Sequence, residues 1–186
     1  MDDTVAGRIM DDVVIGPRAA HDAAREEFRG VFAAVYPRVV RTVYFIVHDE
    51  PVAEEIAQDA FVELYRGWSK IRNYERPDLW VRRVAIRKAQ REVSKSVRRI
   101  GLERAVAQPD RVDDTATLPD PELMAAIRTL PAQQRAVLVL FYLEDLPMAE
   151  VADLVGCSAS TGFVHLHRAR SRLAELLSEE VDGNVR

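Results

Sequence analysis

The sequence predicts an all-α protein with two small helical domains, a helical bundle and a helix-turn-helix domain, joined by a flexible linker. Apolar residues recur at helical spacing in nearly every patterned segment. We find no run that alternates β-branched and polar residues as a strand does, and no hairpin turn signal. Between residues 100 and 120 the composition changes to glycine, proline and aspartate, as is typical of a linker.

The composition limits the classes of function. A chain of 186 residues can bury one good core or two small ones, and its net charge of −4 does not indicate a nucleic-acid binder. The single cysteine, Cys157, excludes an intrachain disulfide. We see no apolar stretch of the ~20 residues that span a bilayer, and the acidic N-terminus is unlike a secretory signal. We therefore expect a cytoplasmic protein with no membrane insertion.

The periodicity places each helix and each domain boundary. We expect the first helix to be bent or interrupted at Pro37, and Asp49-Glu50-Pro51 to start the second. The expected helices cover about residues 28–47, 52–68, 79–99, 121–129, 131–143, 148–155 and 158–177. The expected units are a disordered acidic N-terminal extension over 1–22, a first domain over 23–99, a linker over 100–120, a second domain over 121–178 and a tail over 179–186.

The second helix is acidic on its polar side. Between Asp49 and Glu63 there are six acidic residues and no basic one. Its apolar stripe consists of Ala53, Ile56, Ala57, Ala60 and Leu64. The pattern fits a solvated amphipathic helix, and it also fits a surface that docks on a partner.

The third helix has the opposite charge. Glu92 is the only acidic residue among its cations, which are Arg82, Arg83, Arg87, Lys88, Arg91, Lys95, Arg98 and Arg99. At ~100° per residue, one face carries Arg83, Arg87, Arg91 and Arg98, and the other side carries Val81, Ala85 and Ala89. Such a row of guanidinium groups can follow a phosphate backbone, although it could also be merely solvated.

Aromatic residues and an amide lie beside this basic helix. They are Trp68, Asn73, Tyr74 and Trp80, and such side chains suit unstacked single-stranded bases. Both tryptophans could instead be core anchors. For Trp80 we favour the core interpretation, because a ring of that size commonly seals a small domain.

The pattern of the C-terminal segment predicts a helix-turn-helix. A short helix from Met148 ends at Gly156, and the hydroxyl of Ser158 can cap the next helix. The second helix of such a motif enters the major groove, with base contacts from its first turn, here Ser160 and Thr161. We expect the outward side chains to be Val164, His167, Arg168 and Ser171, with His165 and Arg172 at the sides. An ordinary helical hairpin is the alternative.

Three blocks resemble the extracytoplasmic-function sigma factors of the sigma-70 family. Glu55-Ile-Ala-Gln-Asp-Ala-Phe61 is similar to the family's acidic segment that docks on RNA polymerase, and Trp80-Val-Arg-Arg-Val-Ala85 to the helix that recognises and melts the −10 element. Leu130-Pro131 and Arg135-Ala-Val-Leu-Val-Leu-Phe-Tyr142 resemble the start of the −35-binding domain. Ala149-Glu-Val-Ala-Asp-Leu-Val-Gly156 and Leu166-His-Arg-Ala-Arg-Ser-Arg-Leu173 complete it, so the resemblance covers about residues 28–177.

The resemblance implies a σ2-like domain, a flexible linker and a σ4-like domain in an alternative sigma factor. It implies that core RNA polymerase (its β′ clamp and β flap), promoter DNA and an anti-sigma factor are the partners. It implies no catalytic residue, no metal, no cofactor and no small-molecule substrate. The residues expected at the polymerase are Glu54, Glu55, Gln58, Asp59, Phe61 and Val62; at the −10 element, Asn73, Tyr74, Trp80, Arg83, Arg87, Lys88 and Arg91; at the −35 element, Ser158, Ser160, Thr161, Phe163, Val164, His165, His167 and Arg168.

The second helix of the predicted helix-turn-helix departs from the family pattern. Where relatives carry a β-branched residue and basic or small polar ones, this chain has Gly162, Phe163, Val164 and His165. Glycine costs helix stability on the order of 1 kcal/mol relative to alanine. We expect Phe163 to fill the gap that Gly162 leaves in the buried stripe of this helix, which consists of Gly162, Leu166, Ala169, Leu173 and Leu177. Fewer cations predict weaker contact with duplex DNA.

Other classes of function remain to be separated. Cys157, His165 and His167 could be imagined as a catalytic or metal site, but the two histidines are two positions apart and diverge on a helix. A helix-turn-helix regulator that acts without polymerase leaves the acidic and basic helices unexplained. A partner-sequestering protein with residual DNA-binding features is a third possibility. For Cys157 we favour a small buried apolar role over redox sensing.

Overall fold

The structure is a computed structural model that describes residues 17–102 and 121–183, and every regular element in these ranges is helical. The predicted all-α class is therefore confirmed. The predictions for residues 1–16, for the linker over 103–120 and for residues 184–186 lie outside the described residues. The helices are α1 Pro17–Val47, α2 Glu50–Arg66, α3 Trp68–Ile71, α4 Pro77–Leu102, α5 Pro121–Thr129, α6 Ala132–Leu138, a π-helical turn over Val139–Leu143, α7 Met148–Val155 and α8 Ala159–Gly183.

Helix α1 differs from the prediction at both places where proline occurs. It begins at Pro17, whereas we expected it to begin at about residue 28. It also runs through Pro37 without interruption. Pro37 is exposed, so the lost backbone hydrogen bond lies on the solvent side. The following turns are held by Val43 and Ile46, which are completely buried. Core packing therefore outweighs the local preference of proline.

Helices α1, α2 and α4 form the first domain around one core. Helix α2 starts as predicted, because the Asp49 carboxylate accepts a hydrogen bond of 2.9 Å from the backbone N–H of Val52. Trp68 anchors the N-terminal part of α1, and its indole N–H donates to the carbonyl of Ala24 at 2.8 Å. The fully buried side chains include Val43, Ile46, Ala53, Ala57, Ala60, Leu64, Val81, Ala85 and Ala89.

One segment is long and apolar enough to span a bilayer, contrary to our expectation that no stretch has this length and composition. Asp22–Val47 is long and apolar enough to cross a bilayer by length and composition, with a mean hydropathy of 1.4 in its most apolar window. This is weak evidence, because the core helix of a soluble protein passes the same test. The segment belongs to α1, whose Val39, Val43 and Ile46 pack in the core of the first domain.

The two domains share a continuous interface. Arg135 of α6 is buried, and its guanidinium donates to the carbonyl of Ile46 in the first domain at 2.5 Å. The same guanidinium donates to the carbonyls of Arg128 and, at 3.0 Å, Leu130 within its own domain. Burial, with a smaller effect of Arg128, lowers the pKa of Arg135 to about 10. Arg135 therefore ties the C-terminal end of α1 to the second domain.

The gap beside Gly162 is filled by a residue other than the expected one. A Cβ at Gly162 would lie 2.5 Å from the sulfur of Met148, so α7 and α8 approach each other more closely than a side chain here would allow. Met148 is buried, whereas Phe163 is 55% exposed. The prediction that Phe163 fills the gap is therefore wrong, because Met148 reaches it from the preceding helix.

Alanine at position 162 tests this close contact. Gly162→Ala should lower the free energy of unfolding, because overpacking typically costs about 1–3 kcal/mol and exceeds the gain in helix propensity of about 1 kcal/mol. In a Met148→Ala background the same substitution should instead be stabilising, since the new methyl group then enters free space. Urea unfolding of the four proteins measures both effects. An effect of Gly162→Ala with equal sign and size in both backgrounds would contradict this packing.

His48 lies near Arg135 at the interface of the two domains, and we expect it to make the stability of the fold depend on pH. It ends α1 in the left-handed conformation, with φ of 60°, and burial, then Arg135, then Arg128 lower its pKa from 6.5 to about 3. The unfolded chain takes up this proton below pH 6.5 and the folded chain does not, so stability should fall between pH 6.5 and about 3, by at most about 1.4 kcal/mol per pH unit.

The matched variants are His48→Asn, which tolerates the left-handed conformation, and His167→Asn at an exposed site. Thermal unfolding at several pH values should show a weaker loss of stability on acidification in His48→Asn only. If the His48→Asn and His167→Asn proteins followed the same pH curve, His48 would not carry the effect.

Candidate nucleic-acid and partner-docking surfaces

The polar side of α2 forms a continuous exposed surface, which we call the α2 face. Five of the six residues expected there are exposed, namely Glu54, Glu55, Gln58, Asp59 and Val62. Val62 is 44% exposed and its neighbour Tyr65 is 52% exposed. Exposed apolar groups rimmed by carboxylates are typical of a surface that binds another protein.

Phe61 is the exception among the expected docking residues. Its side chain is only 3% exposed. The ring packs edge-on against Phe32 at 5.0 Å and against Tyr36 at 5.5 Å, which joins α2 to α1. Phe61 therefore supports the α2 face from beneath and does not lie on it.

The basic side of α4 faces the second domain. Its opposite side, with Val81, Ala85 and Ala89, is completely buried, as the periodicity predicted. Arg87 and Arg91 are exposed along a cleft of about 610 Å³ between α4 and the second domain. Lys95 extends the row, and Pro131, Gln133, Gln134 and His165 are among the residues on the other wall. We call the row Arg83, Arg87 and Arg91 the α4 row.

Lys88 differs from the other cations of α4. Its ammonium group lies 2.9 Å from Glu63 Oε1 and 3.1 Å from Asp59 Oδ2, both on α2. The hydrogen bond to Glu63, followed by that to Asp59, raises the pKa of Lys88. Lys88 therefore joins the acidic helix α2 to the basic helix α4. Its ammonium group points to α2 and is not part of the α4 row.

The segment between α3 and α4 presents two of the expected single-strand contacts. Tyr74 is 42% exposed, and Asn73 is exposed with its amide N–H 3.3 Å from the carbonyl of Ser69. Trp80 is half-buried against the core of the first domain, as the core interpretation predicts. Tyr74 is thus the aromatic ring of this segment that is most available for stacking on a base.

The predicted turn of the helix-turn-helix forms as expected. Gly156 ends α7 in the left-handed conformation, with φ of 83°, where a side chain would be strained. Ser158 caps α8, since its hydroxyl accepts from the backbone N–H of Thr161 at 3.1 Å. The capping geometry leaves Ser160 and Thr161 exposed at the start of α8.

The outer face of α8 is mixed in chemistry. Phe163 and Val164 are 55% and 46% exposed, and His167 and Arg168 are also exposed. His165 is half-buried and lines the cleft with Arg87, so it does not share this outer face. The exposed surface of α8 therefore offers apolar groups and hydroxyls beside a small number of cations.

Cys157 shows no sign of activation. It is half-buried at the turn, and burial raises its pKa, which favours the unreactive thiol form. Within residues 17–102 and 121–183, no group of three histidine, cysteine or acidic side chains is placed to hold a metal ion.

The sequence analysis did not predict that two carboxylates of the second domain contact arginines of α4. Glu144, whose side chain is 4% exposed, follows the π-helical turn and lies 3.1 Å from guanidinium nitrogens of both Arg82 and Arg38. The Thr42 hydroxyl lies 3.0 Å from its other oxygen. Asp153 of α7 pairs with Arg83 of the α4 row. A charged residue directly after a long apolar run was the available signal for Glu144.

Comparison with known proteins identifies the two domains. The model of Sigma-70 region 2 matches residues 31–99, and that of Sigma-70, region 4 matches residues 121–173. The RNA polymerase sigma-E factor of Streptomyces avermitilis is 30% identical over 152 residues, which cover 79% of this chain and 83% of the relative. The sigma-E factor of Streptomyces antibioticus is 30% identical over 155 residues, covering 81% and 84%.

Solved structures share the fold. The sigma factor RpoE from Bartonella quintana, in a co-crystal with the anti-sigma factor NepR, matches with a TM-score of 0.68 at 20% identity, covering 82% of this chain and 98% of that one. CnrH, in complex with the cytosolic domain of CnrY, matches with a TM-score of 0.59 at 20% identity, covering 86% and 95%. With both regions matched in order and relatives at 30% identity, the chain belongs to the extracytoplasmic-function group of sigma-70 family RNA polymerase sigma factors.

Proposed function

We propose that this sigma factor binds core RNA polymerase through the α2 face, reads promoter elements with α4 and α8, and aids DNA melting. The observation that carries the proposal is the segregation of charge: 26 basic and 30 acidic residues nearly cancel over the chain, yet α2 exposes carboxylates and α4 exposes guanidinium groups. It carries out no covalent chemistry of its own and uses no cofactor. Its place of action is the cytoplasm.

The α2 face suits the polymerase because it combines charge with apolar contact. Exposed Val62 and Tyr65 supply the area that is removed from water on binding, and Glu54, Glu55 and Gln58 supply specificity and attraction to a basic partner surface. The β′ clamp is the site proposed for this face, and the β flap is the site proposed for the second domain.

The α4 row and the segment before it suit the −10 element. Arg83, Arg87 and Arg91 lie one helical turn apart, a spacing that can follow the phosphates of one strand. Exposed Tyr74 and Asn73 are near the start of α4 and can hold an unstacked base. Extruding a base costs a few kcal/mol, which stacking and pocket contacts must recover.

Helix α8 suits the −35 element mainly through hydroxyl and apolar groups. Ser160 and Thr161 stand in its first turn, and exposed Phe163 and Val164 can contact the methyl groups of thymines in the major groove. Exposed Arg168 can bind a phosphate. We therefore expect a modest affinity for duplex DNA with a small dependence on salt.

An anti-sigma factor is proposed as the regulator of this chain. The two neighbours of similar fold were solved with an anti-sigma factor and with the cytosolic domain of CnrY, respectively. A partner that covers the α2 face would prevent polymerase binding, and the exposed Val62 and Tyr65 offer it an apolar contact.

Charge reversal tests whether the two surfaces have separate roles. Arg87→Glu with Arg91→Glu should abolish initiation on a pool of duplex templates while core binding is kept, because only DNA contacts are lost. Glu55→Lys with Val62→Glu should weaken core binding at least tenfold. Arg29→Glu with Arg41→Glu, at exposed positions of α1, changes the same charge as the first pair and should affect neither property.

Core binding is measured by fluorescence anisotropy and initiation by run-off transcription. Loss of core binding in the Arg87/Arg91 variant would contradict separate surfaces. Full activity of the Glu55/Val62 variant would remove the basis for the α2 face as the polymerase site, and would favour a DNA-binding regulator that acts without polymerase.

Thymine methyl contacts can be tested by removing either partner. Phe163→Ala or Val164→Ala should weaken holoenzyme binding to its −35 element by roughly fivefold, which corresponds to about 1 kcal/mol. Replacing the contacted thymine by uracil removes only the methyl group and should weaken wild-type binding by a similar factor. The two changes together should cost no more than one alone. Additive losses would show that these side chains do not contact the methyl group.

A further inference from the structure

The cleft between α4 and the second domain is lined by cations that lack an acidic counterpart. Arg87, Arg91 and Lys95 follow one another along α4, about 6 Å apart along the helix axis. Arg87 and Arg91 have no ion pair within the part of the chain that the structure describes, and the ammonium group of Lys95 lies 3.3 Å from Glu92 on its own helix. No carboxylate of these described residues lines the cleft. The cleft therefore carries a positive charge that is left uncompensated.

Two nitrogen atoms of residues that line the cleft are buried without a hydrogen-bond partner in residues 17–102 and 121–183. They are Nε2 of Gln90, on α4, and Nδ1 of His165, on α8. Buried polar atoms of folded proteins nearly always have a partner, because a hydrogen bond left unmade is costly. Each wall of the cleft thus carries a group that a ligand with acceptor oxygens can satisfy.

The size of the cleft limits the ligand to a small molecule. The volume of about 610 Å³ lies within the range of small-molecule sites, roughly 300–1,000 Å³, and is too small for a double helix. The cations from Arg87 to Lys95 span about 12 Å along α4, which a single phosphate group cannot bridge. The ligand that fits is therefore small and carries several anionic groups in a row.

The side chains of the two walls suit phosphate groups. A guanidinium group binds two phosphate oxygens at once, and an ammonium group binds as a point charge. On the opposite wall, the amides of Gln133 and Gln134 and the imidazole of His165 can donate to further oxygens or contact a nucleobase. One wall thus supplies charge and the other supplies hydrogen bonds.

We propose that this cleft binds a small ligand with a chain of phosphate groups, held by Arg87, Arg91 and Lys95 on α4 and by Gln133 and His165 of the second domain. Nucleoside polyphosphates and inorganic polyphosphate share this chemistry. Because Arg87 and Arg91 belong to the α4 row, a bound ligand occupies cations that the −10 strand requires. This effect on transcription rests on the proposed function, whereas the ligand site does not.

Calorimetric titration of the free, full-length protein at low salt tests the site. The probes are inorganic tripolyphosphate, GTP, ATP and orthophosphate. Tripolyphosphate should bind at one site per chain, about tenfold more tightly than orthophosphate, because it reaches several cations at once. Tighter binding of GTP or ATP than of tripolyphosphate would identify a nucleotide as the source of the phosphates, and equal or weaker binding would identify the phosphate chain alone. Tripolyphosphate that binds no more tightly than orthophosphate would overturn the proposal.

Matched substitutions test the cationic wall. Arg91→Gln and Lys95→Gln should each weaken tripolyphosphate binding by about tenfold, since each removes a charge-assisted hydrogen bond. Arg41→Gln and Lys70→Gln remove the same charges at exposed positions outside the cleft and should leave the affinity unchanged. An equal loss of affinity in all four variants would show attraction to net charge only, and would overturn the site.

The wall formed by the second domain has a control on its own helix. His165→Ala should weaken tripolyphosphate binding by roughly fivefold, whereas His167→Ala, at an exposed position on the outer face of α8, should not. Gln133→Ala, at an exposed position where folding is not at risk, should act as His165→Ala does. Urea unfolding verifies that each variant folds. Unchanged affinity in both the His165 and the Gln133 variants would overturn a site that uses the two walls.

The outcomes separate this proposal from the proposed function. A protein that binds tripolyphosphate through Arg91 and His165 but never binds core polymerase would retain the ligand site and lose the sigma-factor mechanism. A protein that binds core polymerase and initiates transcription, but does not bind tripolyphosphate, GTP or ATP, would retain the mechanism and overturn the ligand site.

Discussion

Burial of the apolar side of α4 is the constraint on which the other surfaces depend. Val81, Ala85 and Ala89 are completely buried, and α4 packs against both α1 and α2, so α4 cannot rotate without exposing its core side. Because a helix repeats every 3.6 residues, this fixed rotation aims Arg83, Arg87 and Arg91 away from the core. The direction of the basic surface is therefore a consequence of packing, and charge alone would not determine it.

The same packing separates two surfaces of opposite charge within one small domain. Lys88 sits at their boundary and is paired with Asp59 and Glu63, so the acidic and basic helices are joined by an ion pair where they meet. Beyond this boundary the carboxylates of α2 point to solvent and the arginines of α4 point to the second domain. A chain with a net charge of only −4 can thus present one surface suited to a protein and one suited to a polyanion.

Local signals predicted the helices and most of the exposed surfaces. The spacing of Ala53, Ile56 and Leu64 identified the buried side of α2, and Gly156 with Ser158 identified the turn before α8. Periodicity could not show which residues meet across domains. The contacts of Glu144 with Arg38 and Arg82 span 106 and 62 positions of the chain, so no local pattern encodes them.

The predictions that were wrong also rest on local sequence, and tertiary packing overrides each of them. Pro37 is a helix breaker by local preference, yet tertiary packing carries α1 through it. Phe163 is expected to fill the gap at Gly162 because it lies at the edge of the buried stripe, whereas Met148 fills the gap from the other helix. Phe61 carries the family motif and still lies in the core. A motif identifies a residue type at a position, and packing decides whether that residue supports a surface or forms it.

The most direct test of the central claim is run-off transcription by core RNA polymerase on a random pool of double-stranded templates, with and without the purified protein freed of any inhibitor. The account predicts that the protein produces discrete transcripts whose templates share two upstream sequence elements. Transcription that is no greater with the protein than with core polymerase alone, on every template in the pool, would contradict it.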